Sequence, residues 1–192
     1  MTLGMTPSTY RKGGPGMRIR FATAQCSLGW VLVAATDKGV CAIDLGNAPG
    51  PLVDRVRARF SESEFVEGDP AFAQWVAQIL AFLDAPRGSL DIPLDILGTA
   101  FQRRVWLALR EVAPGSTISY GQIAARIGSP KAARAVAQAC ASNMLAVVVP
   151  CHRVVRKDGE LGGYRWGIER KRRLLEREAE SKNLVTPQGE NW

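Results

Sequence analysis

The sequence predicts a mixed α/β chain of the α+β kind, with a small antiparallel sheet in its first half and a mostly helical second half built around a helix-turn-helix. Three observations predict it. Short β-rich runs broken by turn residues occupy 17–46, apolar residues recur at helical spacing beyond about residue 97, and charge is divided unevenly between the halves. Residues 1–100 hold nine basic and ten acidic side chains, whereas residues 101–192 hold sixteen and eight, so the net +7 of the 192-residue chain belongs to the second half. A basic unit joined to a neutral one points to a polyanion, nucleic acid foremost, as the partner of the second unit alone.

Each element has a local reason. Residues 1–16 are rich in Gly, Pro and Thr without periodicity, the composition of a flexible tail or a linker remnant. Strands are expected over 19–24, 30–36 and 39–45, the last two joined by the turn Asp37-Lys38-Gly39, which together make a small meander. Two helices follow, Pro51–Phe60 and Pro70–Leu83. The second has Asp69 as its N-cap, Pro70 at the first helical position, and Phe72, Val76, Ile79, Leu80 and Leu83 along one face. Ala85-Pro86-Arg87-Gly88 stops it, and residues 89–98 lead into the basic half. The expected organisation is a tail over 1–16, a supporting domain over 17–97, a second domain over 98–180 and a tail over 181–192.

In the second domain Thr99 caps a helix running through Glu111, with Phe101, Val105, Trp106, Leu109 and Val112 at helical spacing. Two short helices come next, about Tyr120–Ile127 and Lys131–Cys140, separated by Gly128-Ser129-Pro130. There Gly ends the first, Ser caps the second and Pro starts it. The second carries Lys131 and Arg134 in its first turn and small residues along most of its length, a thin, basic-headed helix that fits a DNA groove. The same punctuation also suits an αα-hairpin packed on a core. The net +5 of residues 101–150 weighs toward nucleic acid.

Composition excludes other classes. The longest apolar run, Met144–Pro150, is seven residues where a membrane span needs about twenty, and the polar start lacks the apolar core of a signal peptide. A cytoplasmic protein is expected. Four irregularly spaced cysteines without a CxxC pair read as buried thiols or one reactive thiol, and a single histidine makes a Cys/His zinc site hard to assemble, so no metal is expected.

The chemistry concentrates where the run Met144–Pro150, read as a buried strand, delivers Cys151-His152-Arg153. Cys151 stands beside the only histidine and among Arg153, Arg156 and Lys157, neighbours that favour a thiolate nucleophile. In an extended segment adjacent side chains point to opposite sides, so His152 reaches the sulfur only through a water or a turn starting at Cys151. A buried, inert Cys-His pair is the alternative, and Cys26, Cys41 and Cys140 fit that description.

Val149-Pro150-Cys151-His152-Arg153-Val154-Val155 resembles the active-site signature of the O6-alkylguanine-DNA alkyltransferases. The likeness includes Gly98-Thr99-Ala100-Phe101-Gln102 with Val105-Trp106, Ser119-Tyr120, Lys131-Ala132-Ala133-Arg134-Ala135-Val136, Asn143 and Leu161-Gly162-Gly163-Tyr164-Arg165-Trp166-Gly167. Residues 98–180 match continuously, and the run after the nucleophile is similar to the Ada branch of the family. Tyr10-Arg11, Gly13-Gly14 and Leu94-Asp95-Ile96 share that likeness more loosely.

The resemblance implies a ribonuclease H-like N-terminal domain and repair of O6-methylguanine, with O4-methylthymine open as a second substrate. Repair would be a single-turnover transfer of the alkyl group to Cys151, after minor-groove binding of double-stranded DNA and flipping of the nucleotide. It implies His152 as water-mediated base, Glu178 as the carboxylate behind it, and Tyr120 as donor to the guanine ring and lever on the 3′ phosphate. Arg134 would fill the vacated stack and Asn143 hold the turn before the nucleophile. Lys131 and Ala133 would meet DNA, and Val154, Tyr164 and Arg165 would line the guanine pocket. By residue type alone Glu169 or Glu176 would serve as well as Glu178. No cofactor is implied, and a monomer is expected. A separate zinc-containing Ada-like module is the expected companion, whether the chain is a split gene product or an excised domain. Two other readings stand beside this one: a non-catalytic, alkyltransferase-like flipping protein, in which the acceptor cysteine is replaced, and a purely regulatory DNA-binding domain.

Overall fold

The computed structural model describes residues 13–86 and 90–185, the last four as helix backbone only. Residues 1–12, 87–89 and 186–192, which hold Tyr10-Arg11, part of the helix stop after Ala85 and most of the two expected tails, lie outside the described residues. Strands β1 (Arg18–Cys26), β2 (Gly29–Thr36) and β3 (Gly39–Gly46) form the expected antiparallel meander. A fourth strand, β4 (Glu64–Val66), adds to the other side of β1 in parallel, giving the order β3-β2-β1-β4. Helix α1 (Pro49–Arg59) begins two residues before its expected start, and α2 (Pro70–Asp84) is capped by the Asp69 carboxylate, which accepts from Phe72 N at 2.8 Å.

The sheet is covered on both faces, which is why β2 and β3 are buried almost end to end. Leu32, Ala34 and Ala42 pack with Leu52, Val56 and Phe60 of α1. Val31, Val33, Ala35 and Ile43 belong to a larger core shared with α2 and with the second half of the chain. Residues 13–16 depart from the tail reading. Gly13 and Gly14 are buried at positive φ, and their carbonyls accept from Glu62 N and from Ser63 Oγ.

The second half comprises α3 (Ala100–Arg110), β5 (Ile118–Ser119), α4 (Tyr120–Arg126), α5 (Ala133–Ala141), a 3₁₀ turn (Cys151–Arg153), β6 (Val154–Val155) and α6 (Ile168–Val185). Thr99 and Ser119 each close a capping box, with Gln102 and Gln122 as reciprocal partners, a device that stabilises a helix start by about 1 kcal/mol. Two expectations for the helix pair are corrected. Ser129 makes no side-chain cap; its carbonyl accepts from Ala132 N in a turn that delays α5 to Ala133, so Lys131 precedes the helix rather than opening it. Helix α6 continues through 181–185, the start of the expected C-terminal tail. Among the described residues no helix is long and apolar enough to cross a membrane.

The edge of β3 anchors the second half of the chain. Its Val40 carbonyl accepts from Asp95 N, Ile43 N donates to Met144 O at 2.7 Å, and Ala146 N donates to Ile43 O at 3.0 Å. The segment leading to Cys151 is therefore braced on the sheet.

Candidate active site

The apolar run before Cys151 is not the expected strand. Only Leu145 bridges to the sheet; beyond it the chain folds back in tight turns, with Val148 N donating to Ala146 O and Val149 N to Leu145 O. Val147 has φ 61°, a conformation costly for a β-branched residue and held by its surroundings. Asn143, 1% exposed, is the bracket that makes this shape. Its Oδ1 accepts from Leu145 N at 2.9 Å, and its Nδ2 faces Leu145 O at 3.3 Å, Val149 O at 3.0 Å and Cys151 Sγ at 3.3 Å. One amide side chain thus fixes the coil and meets the sulfur it delivers.

Cys151 opens the 3₁₀ turn, so His152 is turned aside rather than carried to the opposite face of a strand. Both side chains are buried, Cys151 at 4% exposure. His152 Nε2 lies 2.8 Å from Glu178 Oε1 on α6. Arg153 donates through Nε and Nη2 to the same carboxylate, at 3.0 and 2.7 Å, and through Nη1 to Val112 O, while Gly115 N donates to Glu178 Oε2. Of the three glutamates of suitable residue type, the fold brings Glu178 to the imidazole and leaves Glu169 and Glu176 exposed.

The charge states follow from these contacts. Burial opposes ionisation of Glu178, yet donation from His152 and Arg153 outweighs it and holds the carboxyl pKa down to about 2. Burial also lowers the pKa of His152, against the pull of Glu178, with Arg153 and Lys171 adding to the lowering. The arrangement is a carboxylate facing a neutral imidazole. An ionised carboxylate only accepts, which assigns the ring proton to Nε2 and the lone pair to Nδ1. That Nδ1 is buried without a protein partner, as is the hydroxyl of Tyr164, whose ring meets His152 edge-on at 6.3 Å.

The expectation that surrounding arginines hold Cys151 as a thiolate is corrected. Burial pushes the thiol well above its ordinary value and neighbouring Cys140 adds to this, with only Asn143 and Lys171 pulling the other way. Arg153 is committed to Glu178, and Arg156 pairs at the surface with Glu160. The basic run Arg170–Arg173 is mixed in its surroundings. Lys171 is fully buried, and Arg170 donates to Leu28 O and Trp166 O, whereas Arg172 and Arg173 pair outside with Glu169.

The remaining residues lie around this turn. Tyr120 is half-buried at the start of α4, and its hydroxyl would lie 2.8 Å from a Cβ built on Gly162, so that position admits no side chain without displacing it. Arg134 and Lys131 are exposed near the start of α5, and Ala133 is half-exposed at its first position. Val154 is buried in β6, beside Ile118. Arg165 is exposed, donates to Ala141 O at 3.3 Å and sits 6.0 Å from the Trp166 ring, which itself packs edge-on against Tyr164 at 5.0 Å. Trp166 Nε1 donates to the buried Asp44 of β3, a link between the halves that the sequence did not suggest. Among the described residues no three His, Cys, Asp or Glu side chains are grouped to hold a metal ion.

Comparison with known proteins decides the relationship. Residues 19–96 match the ribonuclease-like domain of 6-O-methylguanine DNA methyltransferase, and residues 100–180 match the DNA-binding domain of the same enzymes. The inducible methylated-DNA--protein-cysteine methyltransferase of Bacillus subtilis is 40% identical over 147 residues, which cover 76% of this chain and 82% of that protein. The chain belongs to the 6-O-methylguanine DNA methyltransferase family. Within that family it is 50% identical over 180 residues, 94% of its length, to the bifunctional transcriptional activator/DNA repair enzyme Ada of Escherichia coli. It spans about half the length of Ada, 51%. The methyltransferase fold is that of Mycobacterium tuberculosis OGT, solved in complex with DNA, with a TM-score of 0.71 and 36% identity over 85% of this chain and 94% of that one.

Proposed function

We propose that this methyltransferase repairs O6-methylguanine in double-stranded DNA by one irreversible transfer of the alkyl group to Cys151. The single observation that carries the proposal is the 3₁₀ turn that seats a buried cysteine on Asn143 and, one residue later, a neutral histidine on an ionised glutamate.

The chain's residues supply each step. α4 and α5 present Arg134, Lys131 and Ala133 to the duplex, and Arg134 takes the place of the nucleotide that is rotated out. The flipped guanine enters between Tyr164, the backbone of Val154 and Arg165, and the Tyr120 hydroxyl, where two buried polar atoms, His152 Nδ1 and Tyr164 Oη, lack protein partners. His152 takes the Cys151 proton through a water, and Glu178 stabilises the imidazolium. The sulfur forms a bond to the alkyl carbon as the carbon–O6 bond breaks. The bonding pair passes into the guanine ring, where donation from Tyr120 offsets the developing charge and a ring nitrogen finally gains the proton. A thioether has no leaving group that this site could expel, so each molecule acts once. All these groups come from one chain, which is consistent with a monomer. A DNA substrate implies a cytoplasmic place, and a separate zinc-containing module would complete the likeness to Ada.

The test is to incubate the protein with duplex DNA carrying one O6-methylguanine and weigh it intact. The expected result is a gain of one methyl, retained on Cys151 and abolished in Cys151→Ala. An unchanged mass with DNA in excess overturns the proposal in favour of a binding or regulatory protein.

A further inference from the structure

Lys171 is a fully buried cation that the chemistry above does not use. Its ammonium donates to Val154 O at 2.5 Å and to Gly162 O at 3.1 Å, two carbonyls and no carboxylate. Burying an ammonium is costly unless an anion answers it. The buried carboxylate of α6, Glu178, is already met by His152 and Arg153. Around the nucleophile the other titratable groups are Cys140 of α5, Tyr120 of α4, Tyr164 and the adjacent His152, and the Lys171 charge acts on Cys140, Cys151 and His152. Burial raises the pKa of Cys151, Tyr120 and Tyr164, which holds these three neutral at rest.

The two carbonyls are informative. Val154 directly follows the nucleophile turn, and Gly162 lies against the Tyr120 hydroxyl, so one ammonium ties the segment that leaves the nucleophile to the segment that meets Tyr120. It uses two of its three N–H donors there. We propose that Lys171 is a positioning residue that acts through Cys151: clamped on Val154 and Gly162, it supplies the buried positive charge that is answered only when the thiol becomes a thiolate. A charge unpaired in the resting state and paired in the reactive one favours the reactive state, because it is fixed before the anion develops. The proposal rests on Cys151 being the nucleophile and makes no use of DNA.

The experiment measures Cys151 with a small electrophile. Iodoacetamide forms a sulfur–carbon bond with the thiolate and releases iodide; its rate at Cys151, read by peptide mass against pH, gives the apparent thiol pKa without DNA. Lys171→Gln keeps a neutral donor for the carbonyls, and Lys171→Met removes both charge and donor. Both variants are expected to shift the profile upward by about one pH unit, a roughly tenfold slower reaction at neutral pH. A purely structural clamp would lower Tm, most in Lys171→Met, and leave the profile in place, which overturns the proposal. A wild-type measurement covers poor folding of the variants. By ¹⁵N NMR the Lys171 ammonium should lose its proton at lower pH once Cys151 is alkylated than while it can ionise; equal titrations also overturn it. Methyl transfer from O6-methylguanine DNA, followed in parallel, separates failure of this role from failure of the repair reaction.

Discussion

Two buried carboxylates of similar chemistry hold this molecule together in different ways. Glu178, on α6, is 2% exposed and is met by an imidazole, a guanidinium through two nitrogens and a backbone N–H. Asp44, on β3, is 8% exposed and is met by the indole N–H of Trp166 and by Arg55 at 2.8 Å, whose side chain is 47% exposed. Both side-chain partners of Glu178, His152 and Arg153, are buried, whereas half of the Asp44 arrangement is wet. A buried charge whose partners are also buried has no substitute for them, while solvent can replace an exposed arginine. Glu178 therefore couples stability to chemistry through His152, and Asp44 fastens the Trp166 loop to the sheet.

The largest expected effect is that of Glu178→Gln. The amide presents one acceptor where there were two and turns an N–H₂ toward Arg153, leaving a guanidinium buried without its anion. The loss should be about 3–5 kcal/mol in unfolding free energy. Methyl transfer by the folded fraction should fall by a factor of about 10² or more, the usual scale for disabling a proton acceptor. Denaturant unfolding and single-turnover transfer measure the two separately. A stable, active variant would mean that His152 needs no carboxylate behind it.

The comparison sharpens with pH, because His152 is the chain's only histidine. Its pKa is lower in the folded protein than the ordinary 6.5, and that of Glu178 is lowered from 4.5 to about 2. The sign is the same for both. As pH falls below 6.5 the unfolded chain binds a proton on His152 that the native site refuses, and below about 4.5 it binds another on Glu178, so each step destabilises the fold. Stability should decline from pH 6.5 toward 5 with a slope of up to about 1.4 kcal/mol per pH unit. The methyl-transfer rate should hold through the first part of that decline, since the native imidazole stays neutral to lower pH. A flat stability profile over this range, or one removed by changes elsewhere than His152, would contradict the neutral-imidazole assignment.

The share of this architecture that is legible in the sequence depends on the range of the interactions. The meander and the capped starts at Asp69, Thr99 and Ser119 are written in neighbouring residues, and the structure has them. β4 escapes a sequence reading because three residues, one of them charged, carry no period of their own and are strand only by pairing with β1. The run 144–150 misleads because an apolar stretch looks the same in a strand and in a buried coil; what decides is Asn143, reaching across eight residues to Cys151. Lys171, inside a basic run, looks solvated by composition. Yet Lys171, Leu174 and Glu178 fall on one stripe of α6, and a helical stripe that mixes Lys, Leu and Glu is a legible sign that charges face inward.

The smallest effect is expected on the Asp44 side. In Asp44→Asn the Trp166 indole keeps a carbonyl acceptor, so the tie between β3 and the Trp166 loop survives, and what is lost is an ion pair with a half-exposed Arg55. Such a pair contributes about 0–1 kcal/mol. Tm should therefore fall by only a few degrees, and methyl transfer should stay within about threefold of the parent protein, because neither Cys151 nor His152 touches Asp44. Asp44→Ala removes the acceptor as well and leaves the buried indole N–H unmet, adding roughly 1–3 kcal/mol. If Asp44→Asn alone disabled transfer, the Trp166–Tyr164 contact at 5.0 Å would have to be carrying the position of β3 into the pocket beside His152, and the division of labour between the two carboxylates would be wrong.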